Sequence, residues 1–407
     1  VGAVLFNQPL NNWNTSSVTD MSGMFSSGML SSAKNFNQPL NSWDTSKVTD
    51  MSRMFSGAEQ FNQPLNNWNT SNVIDMSEMF RGAKKFNESL NNWDTSKVTN
   101  MKDMFGDAEL FNQSLNSWNT SNVTNMSWMF SGAKEFNQPL NSWDTSKVTN
   151  MSRMFVATQF NQDISSWNTS RVTDMSSMFY GAELFNQPLD NWNTSSVKYM
   201  SGMFKSAIQF NQALNSWDTS NVIDMSEMFR GAKKFNESLN NWDTSKVTNM
   251  KDMFGDAELF NQSLNSWNTS NVTNMSWMFS GAKEFNQPLN SWDTSKVTNM
   301  SRMFVATQFN QDISSWNTSI VTNMSGMFSG AKEFNQALDS WDISNVTDMS
   351  GMFKDAENFN QPLDSWDTSN VKDMREMFKG AIQFKQKTKQ IEQEPKEIRN
   401  ISDIDKF

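Results

Sequence analysis

The stretch Phe36–Gln60, FNQPLNSWDTSKVTDMSRMFSGAEQ, recurs along most of this chain of 407 residues. Each return keeps the same Trp, Thr, Met and Phe positions, mostly 25 residues apart. The repeats open at Phe6, Phe36, Phe61, Phe86, Phe111, Phe136, Phe160, Phe185, Phe210, Phe235, Phe260, Phe285, Phe309, Phe334 and Phe359. A unit this short cannot bury its apolar side chains alone, so the sequence predicts fifteen coils stacked around a continuous core.

Four apolar side chains of the unit have helical spacing, at i, i+3, i+4 and i+7. They are Met51, Met54, Phe55 and Ala58. This pattern predicts a two-turn helix in each coil, with Thr49 or Asp50 placed to cap its N-terminus. The aligned residues Asp20, Asp75 and Asn100 predict the same cap in other coils, whereas Tyr199 interrupts the series.

The segment before the helix alternates in polarity. Trp43 and Thr45 lie on one side and Asp44 on the other, which predicts a short strand over residues 41–46 with the tryptophan facing inward. Stacked coils would pair these strands in parallel, on the concave side of the array. The predicted fold class is therefore an α/β repeat, a leucine-rich-repeat-like solenoid with one short strand and one short helix per coil.

The domain organisation predicted from the repeats is a single solenoid over residues 1–384 and a charged cap or linker over 385–407. Residues 28–32 add a short insertion to the first unit. The stretch 70–170 is identical to 219–319, which indicates a copied block displaced by 149 residues. Because such copying changes length by whole blocks, repeat number is expected to be variable, which suits surface display better than one fixed active site.

Composition excludes several functional classes. The chain has no His and no Cys, which removes disulfides, thiolate and imidazole metal sites, and histidine-based catalysis. Its formal net charge of −10 disfavours binding to nucleic acid or anionic lipid. No apolar run approaches the roughly 18 residues of a membrane span. We expect no enzyme activity and no cofactor.

The unit, V-T-D/N-M-S-x-M-F-x-G-A-x-x-F-N-Q-x-L-x-x-W-D/N-T-S, resembles the repeat of BspA-type leucine-rich-repeat surface proteins, above all the mycoplasma-type surface lipoprotein version. The resemblance runs from Phe6 to about Phe384. It implies a leucine-rich-repeat-like fold, a location at the bacterial cell surface, and contact with host matrix proteins, host cells or other microbes. It implies no catalytic residue, and the lipid-attachment cysteine of the lipoproteins does not occur in this sequence.

One position of the predicted helix varies freely between Gly, Arg, Glu, Asp, Ser and Trp, which indicates exposure. It holds Trp128 and Trp277, the two tryptophans outside the core register. Exposed tryptophans are typical of binding hot spots, although each ring could instead lie over the surface of a neighbouring coil. Tyr180 and Tyr199, also at variable positions, are further binding candidates.

The residue after each core tryptophan is always Asp or Asn, which predicts an exposed polar ladder. Either its side chains hydrogen-bond along the stack, or the ladder is a recognition strip or a series of weak Ca²⁺ sites. The calcium reading is weak because no repeat has the dense acidic spacing of known sites. Its carboxylate members are Asp44, Asp94, Asp144, Asp218, Asp243, Asp293, Asp342 and Asp367.

Together these patterns predict an extracellular adhesion or protein-binding module with a protein or cell-surface ligand. The alternative is a structural spacer or self-assembling surface element without a defined ligand. The first coil supports this alternative, because Val4 and Leu5 precede it without an evident polar cap. An ice-binding array is disfavoured, since the most regular threonine shares the buried side with tryptophan.

Overall fold

The computed structural model describes residues 6–26 and 33–386. The predicted insertion at 28–32, the apolar start at Val4 and Leu5, and residues 387–407 of the predicted tail lie outside this part of the chain. The chain divides into two compact units, Val1–Lys246 and Val247–Phe407. Each unit is built of stacked coils with the 25-residue repeat.

The described backbone contains no helix, so the predicted two-turn helix is wrong. The four side chains that suggested it are nevertheless fully buried. A helix would donate each N–H to the carbonyl four residues earlier in the same chain segment. Here the N–H groups of Arg53 and Phe55 donate to Ser77 O and Met79 O of the next coil, both at 2.8 Å.

Overlapping turns take the place of the helix. The N–H groups of Met54, Ser56 and Ala58 donate to carbonyls three residues earlier, at 3.3, 3.0 and 3.0 Å. Arg53 and Gly57 have the left-handed conformation, with φ of 57° and 75°. Because an α-helix needs negative φ at every residue, these two positions prevent one from forming. The turns direct inward the same side chains that a helix would have buried.

The predicted strand at 41–46 is also wrong, although its inner and outer sides are confirmed. Trp43 and Thr45 are buried, and Asp44 between them is exposed. The tryptophan ends a turn, since its N–H donates to Leu40 O at 3.1 Å. No described residue belongs to an extended strand. The α/β class, with a strand and a helix per coil, is therefore replaced by coils made of turns.

Side chains join this segment to the neighbouring coils. Trp43 Nε1 donates to Leu10 O at 3.1 Å, in the preceding coil. The hydroxyl of Thr45 donates to Asn69 O at 2.9 Å, in the following coil. Ile343 replaces this threonine once and is equally buried. The regular threonine therefore serves coil stacking, as its predicted inward position required.

Parallel pairing is limited to one residue per coil. In the first unit isolated bridges join Asp20, Asp50, Asp75, Asn100, Asn125, Asn150, Asp174, Tyr199 and Asp224 in order; in the second they join Asn249, Asn274, Asn299, Asn323, Asp348 and Asp373. The predicted helix cap is wrong here, because Asp50 Oδ1 instead accepts the N–H of Ser52 at 2.8 Å and closes an Asx turn. Tyr199 keeps its place in the series through its backbone alone.

Asparagine supplies a further ladder that the sequence did not reveal. The oxygen Asn37 Oδ1 accepts both Asn62 N at 2.9 Å and Gln63 Nε2 at 3.1 Å, from the next coil. The second unit repeats the contact, with Asn286 N donating to Asn261 Oδ1 at 3.0 Å. The ladder satisfies a backbone donor of the next coil.

Aromatic columns fill the core of each unit. Trp43 and Trp68 stack with centroids 6.5 Å apart and planes 1° from parallel. Phe55 touches both columns beside it, Phe61 at 4.0 Å and Trp68 at 6.1 Å. No buried side-chain nitrogen or oxygen of the described residues lacks a hydrogen-bond partner. The core therefore consists of a few kinds of large side chain, mostly aromatic rings, and its described buried polar atoms are all hydrogen-bonded.

Candidate binding surface

The freely varying position adopts the left-handed conformation in every coil, with φ between 54° and 63°. We call these fifteen residues the left-handed rows, one row in each unit. The first row is Gly23, Arg53, Glu78, Asp103, Trp128, Arg153, Ser177, Gly202 and Glu227; the second is Asp252, Trp277, Arg302, Gly326, Gly351 and Glu376. Glycine adopts this conformation without strain, yet it fills only four of the fifteen positions.

Neighbouring side chains of a row contact one another along the stack. Arg53 Nη2 lies 2.9 Å from Glu78 Oε1. Arg81, three residues beyond the row, places Nε 3.0 Å from Asp103 Oδ2. Burial of this aspartate raises its pKa to about 7, because desolvation of the carboxylate outweighs the attraction of the Arg81 charge. The row therefore combines solvent-facing and partly buried charges.

Trp128 and Trp277 are half-buried rather than fully exposed. The guanidinium of Arg153 lies over the Trp128 ring, 4.3 Å from its centroid, and that of Arg302 lies over Trp277 at 4.5 Å. Each indole thus has one face covered by the next residue of its row. The pairs are cation–π contacts, which hold both the ring and the arginine in place.

A groove opens beside the first tryptophan–arginine pair, with a volume of about 380 Å³. Its lining includes Trp128, Arg153, Ser177, Tyr180, Gly202, Lys205 and Glu227. Lys205 closes the far end, where Nζ forms an ion pair with Glu227. The same Nζ lies 5.2 Å from the Tyr180 ring centroid. We call this the first groove.

The second unit contains a groove of the same layout, with a volume of about 570 Å³. Its lining includes Trp277, Arg302, Gly326, Ser329, Gly351, Lys354 and Glu376. Lys354 Nζ and Lys379 Nζ each lie 2.6 Å from a carboxylate oxygen of Glu376. Hydrogen bonds from the two lysines lower the pKa of this glutamate to about 2. We call this the second groove.

Both grooves follow one order along the row: Trp, Arg, a small residue, Gly and Glu. Two substitutions remove side-chain volume from the second groove. Tyr180, which forms a wall of the first groove, is replaced by Ser329 in the second, and Ser177 on the floor is replaced by Gly326. Smaller side chains at equivalent places leave more space.

The two predicted tyrosines are separated by the fold. Tyr180 is 40 % exposed and belongs to the first groove. Tyr199 is 43 % exposed and occupies a bridge position, outside the lining of that groove. Of the two tyrosines, only Tyr180 therefore lines a groove.

The polar ladder beside the core tryptophans belongs to neither groove. Its eight aspartates are exposed, and each accepts the N–H of the serine two residues later, as Asp44 Oδ1 accepts Ser46 N at 2.9 Å. Hydrogen bonds from the serine hydroxyl and its N–H lower the pKa of these carboxyls; Asp367 shows both bonds with the N–H as the larger cause. Within residues 6–26 and 33–386, no group of three or more acidic side chains is placed to hold a metal ion.

Sequence reasoning missed the charged members of the grooves. Arg153 and Arg302 were read only as examples of a variable position, and Lys205 and Lys354 were not singled out. The signal was present, since each pair of equivalent residues is displaced by the same 149 positions as the two tryptophans. Comparison of equivalent positions in the two units would have identified these four residues.

None of the described segments forms a helix long and apolar enough to cross a membrane. No curated protein matches the sequence. Among solved structures, an internalin (inlF) of Listeria monocytogenes is similar at 9 % identity and a TM-score of 0.24, over 81 % of this chain and 80 % of that one. The leucine-rich-repeat ectodomain of the receptor kinase GASSHO1/SCHENGEN3 of Arabidopsis thaliana is similar at 9 % identity and a TM-score of 0.13, over 82 % and 61 %. Superpositions at these TM-scores do not define the fold.

A family model matches the repeats from end to end. Six overlapping matches cover residues 1–90, 64–159, 138–240, 208–311, 234–331 and 305–404. The model is described as a mycoplasma protein of unknown function, DUF285. The recurring unit that decides the coil, with its tryptophan, paired methionines and two phenylalanines, lies inside every one of these matches. This chain therefore belongs to the DUF285 family of mycoplasma repeat proteins.

Proposed function

We propose that this chain is a non-enzymatic binding protein of the bacterial cell surface, of the BspA-like kind, which contacts a protein partner through its left-handed rows. One observation carries the proposal. Eleven of the fifteen row positions hold residues other than glycine, although the left-handed conformation costs an L-residue roughly 1–2 kcal/mol. Side chains retained at such a cost, over an almost constant core, favour a role at the surface.

The chemistry of the chain supports binding rather than catalysis. It contains no His and no Cys, the most common general base and a common nucleophile. The surface location rests on the likeness of the repeat unit to surface proteins and on membership of a mycoplasma repeat family. Stacked coils also offer a partner many equivalent positions that can change without disturbing the core.

The experiment compares the intact chain with the double variant Trp128→Gly, Trp277→Gly. Glycine suits the left-handed backbone, so the rings are removed without adding strain. Each protein is immobilised and tested against fixed mammalian cells and a panel of purified extracellular-matrix proteins. We expect the parent to capture a partner and the double variant to lose at least about tenfold in affinity, as loss of a hot-spot residue does.

The matched control is Arg53→Gly, which removes a large row side chain outside both grooves. It should keep partner binding, and all variants should remain folded, with a cooperative melting transition. Unchanged capture by the tryptophan double variant would rule out the grooves as the contact surface. Equal loss in the Arg53→Gly control would indicate a general effect of row truncation.

A further inference from the structure

Arg153 and Arg302 differ from the third row arginine, Arg53, and from other arginines of the coils. Arg53, Arg81, Arg230 and Arg375 each form an ion pair with a carboxylate. Within the described residues, the guanidinium groups of Arg153 and Arg302 have no ion pair and no hydrogen-bond acceptor; each lies over an indole instead. Stacking occupies the face of a guanidinium and leaves the N–H groups of its edge available for a ligand.

The charge of these arginines is also uncompensated within the grooves. In the first groove the Glu227 carboxylate is engaged by Lys205 and lies 3.7 Å from Arg230. In the second groove two lysines engage Glu376, and Arg375 is bound to Asp373 at 2.6 Å. The remaining formal charge in each groove is that of the stacked arginine. Since the whole chain carries −10, a positive groove is a local exception.

The grooves also have the shape of a binding site. Between the arginine and the glutamate, the row positions that line each groove carry only small residues, Ser177 and Gly202 in the first groove and Gly326 and Gly351 in the second, and we call these residues the floor. A ligand backbone can approach a floor of this kind closely. Volumes of about 380 and 570 Å³ fall in the range of roughly 300–1,000 Å³ typical of ligand sites.

The two grooves agree beyond the copied block. The tryptophans and arginines belong to the identical stretches 70–170 and 219–319, but the floor residues and the lysines lie in 171–218 and 320–367, where the sequences differ. Tyr180 against Ser329 is one such difference. Both grooves nevertheless have the small floor and the lysine at its end. The part of the groove inside the copied block and the part outside it therefore recur together.

We propose that each groove binds a carboxylate side chain, Asp or Glu, of an extended segment of the partner protein. The carboxylate accepts two parallel N–H bonds from the edge of Arg153 or Arg302, the geometry that this pair of groups favours. The neighbouring backbone of the segment lies over the small floor. The inference rests on the proposed protein-binding function and names the chemistry that the partner must present.

A peptide fits both grooves better than an acidic sugar does. A sugar ring would use an open aromatic face, but the guanidinium covers the face of each indole that it contacts. The remaining aromatic wall, Tyr180, exists only in the first groove and is Ser329 in the second. The same difference predicts selectivity: the second groove accepts a bulkier residue beside the carboxylate than the first.

The test uses the full chain at 150 mM salt and a fluorescein-labelled peptide of Gly, Ser, Asp and Glu, followed by anisotropy. A second peptide replaces each Asp and Glu with Asn and Gln. We expect the acidic peptide to bind at least about tenfold more tightly than the amide peptide. The double variant Arg153→Gln, Arg302→Gln should remove this preference, whereas Arg171→Gln, an exposed arginine outside the grooves, should leave it unchanged.

Three results would overturn the inference. They are equal binding of the two peptides, an equal effect of Arg171→Gln and of the groove variant, or binding of a glucuronate oligosaccharide by the grooves without binding of the peptide. These failures are separable from failure of the proposed function. A chain that captures a matrix protein but does not prefer the acidic peptide retains the function and loses the carboxylate, whereas a chain that captures no protein at all loses the function.

Discussion

Removal of one core tryptophan tests the stacking argument most directly. Trp217 is 2 % exposed and lies between Trp192 and Trp242, at centroid distances of 6.5 and 6.2 Å. Phe204 touches it at 6.2 Å, and its Nε1 donates to Leu189 O at 2.9 Å. The indole therefore has a ring stacked on each face, and its single hydrogen-bond donor, the Nε1–H, is used.

We expect Trp217→Ala to lower the free energy of unfolding by roughly 3–5 kcal/mol, the usual cost of such a truncation in a core. The value should lie toward the upper end, because the Leu189 carbonyl also loses its donor, at about 1 kcal/mol or more. The loss is expected to be local, since a coil in a stack contacts mainly its neighbours.

Urea titration with hydrogen exchange across the first unit provides the measurement. Trp217→Phe separates the two contributions, since it keeps a stacked ring and removes only the N–H, at roughly 1–3 kcal/mol. Trp13→Ala is the matched control at the same position of the unit, because that ring is 53 % exposed and should cost much less. Equal losses for Trp217→Ala and Trp13→Ala would refute the assignment of the tryptophan column to the core.

Two further changes probe the polar contacts. The pKa of Asp103 is about 7 in the fold against an ordinary 3.8, so between these values the folded chain binds more protons than the unfolded one and stability falls as pH rises. Asp103→Asn should therefore gain in urea midpoint relative to the parent at pH 8 and lose that gain at pH 4; a constant difference would contradict the shift. Asn137→Ala removes the acceptor of Asn161 N at 2.9 Å and Gln162 Nε2 at 3.0 Å and should cost about 1–3 kcal/mol in the same titration, against little for exposed Asn141→Ala.

The sequence was sufficient to find the repeat and to separate inside from outside. Trp43, Thr45 and the methionine-phenylalanine stripe are buried as predicted, because burial follows from the chemistry of the side chains and from their recurrence. These predictions do not depend on which backbone conformation turns the side chains inward. Burial can therefore be predicted correctly even where the secondary structure is predicted wrongly.

The helix prediction failed because its evidence was spacing alone. Overlapping turns that close three residues apart repeat side chains at nearly the helical interval, so Met51 and Met54 share a side in either conformation. The conformations differ at the third residue, where φ is 57° at Arg53. A warning was available in the sequence, since Gly202, Gly326 and Gly351 occupy that same position and glycine in a helix interior costs about 1 kcal/mol.

The grooves could be predicted only in part. Variation identified the row, and the two exceptional tryptophans identified where each groove begins. The cation–π contact could not be predicted from the sequence, because it joins Trp128 to Arg153 in the next coil and depends on how the coils stack. The Asx turns of the polar ladder are local to each coil and involve no residue of either groove.

In the left-handed rows, the side chain can change without loss of the backbone hydrogen bonds of the coil. The backbone groups of a row residue are satisfied whatever its side chain, as Trp128 N donates to Ser152 O at 2.8 Å and its own carbonyl accepts Ser131 N at 2.9 Å. Exchange of one row side chain for another leaves both bonds in place and changes the strain, which glycine relieves, and the side-chain contacts along the row. Sequence at the rows can therefore change coil by coil while the core stays constant. Rows that the fold leaves free to vary nevertheless show the order Trp, Arg, small residue, Gly and Glu twice, which supports the proposed binding of a partner in the grooves.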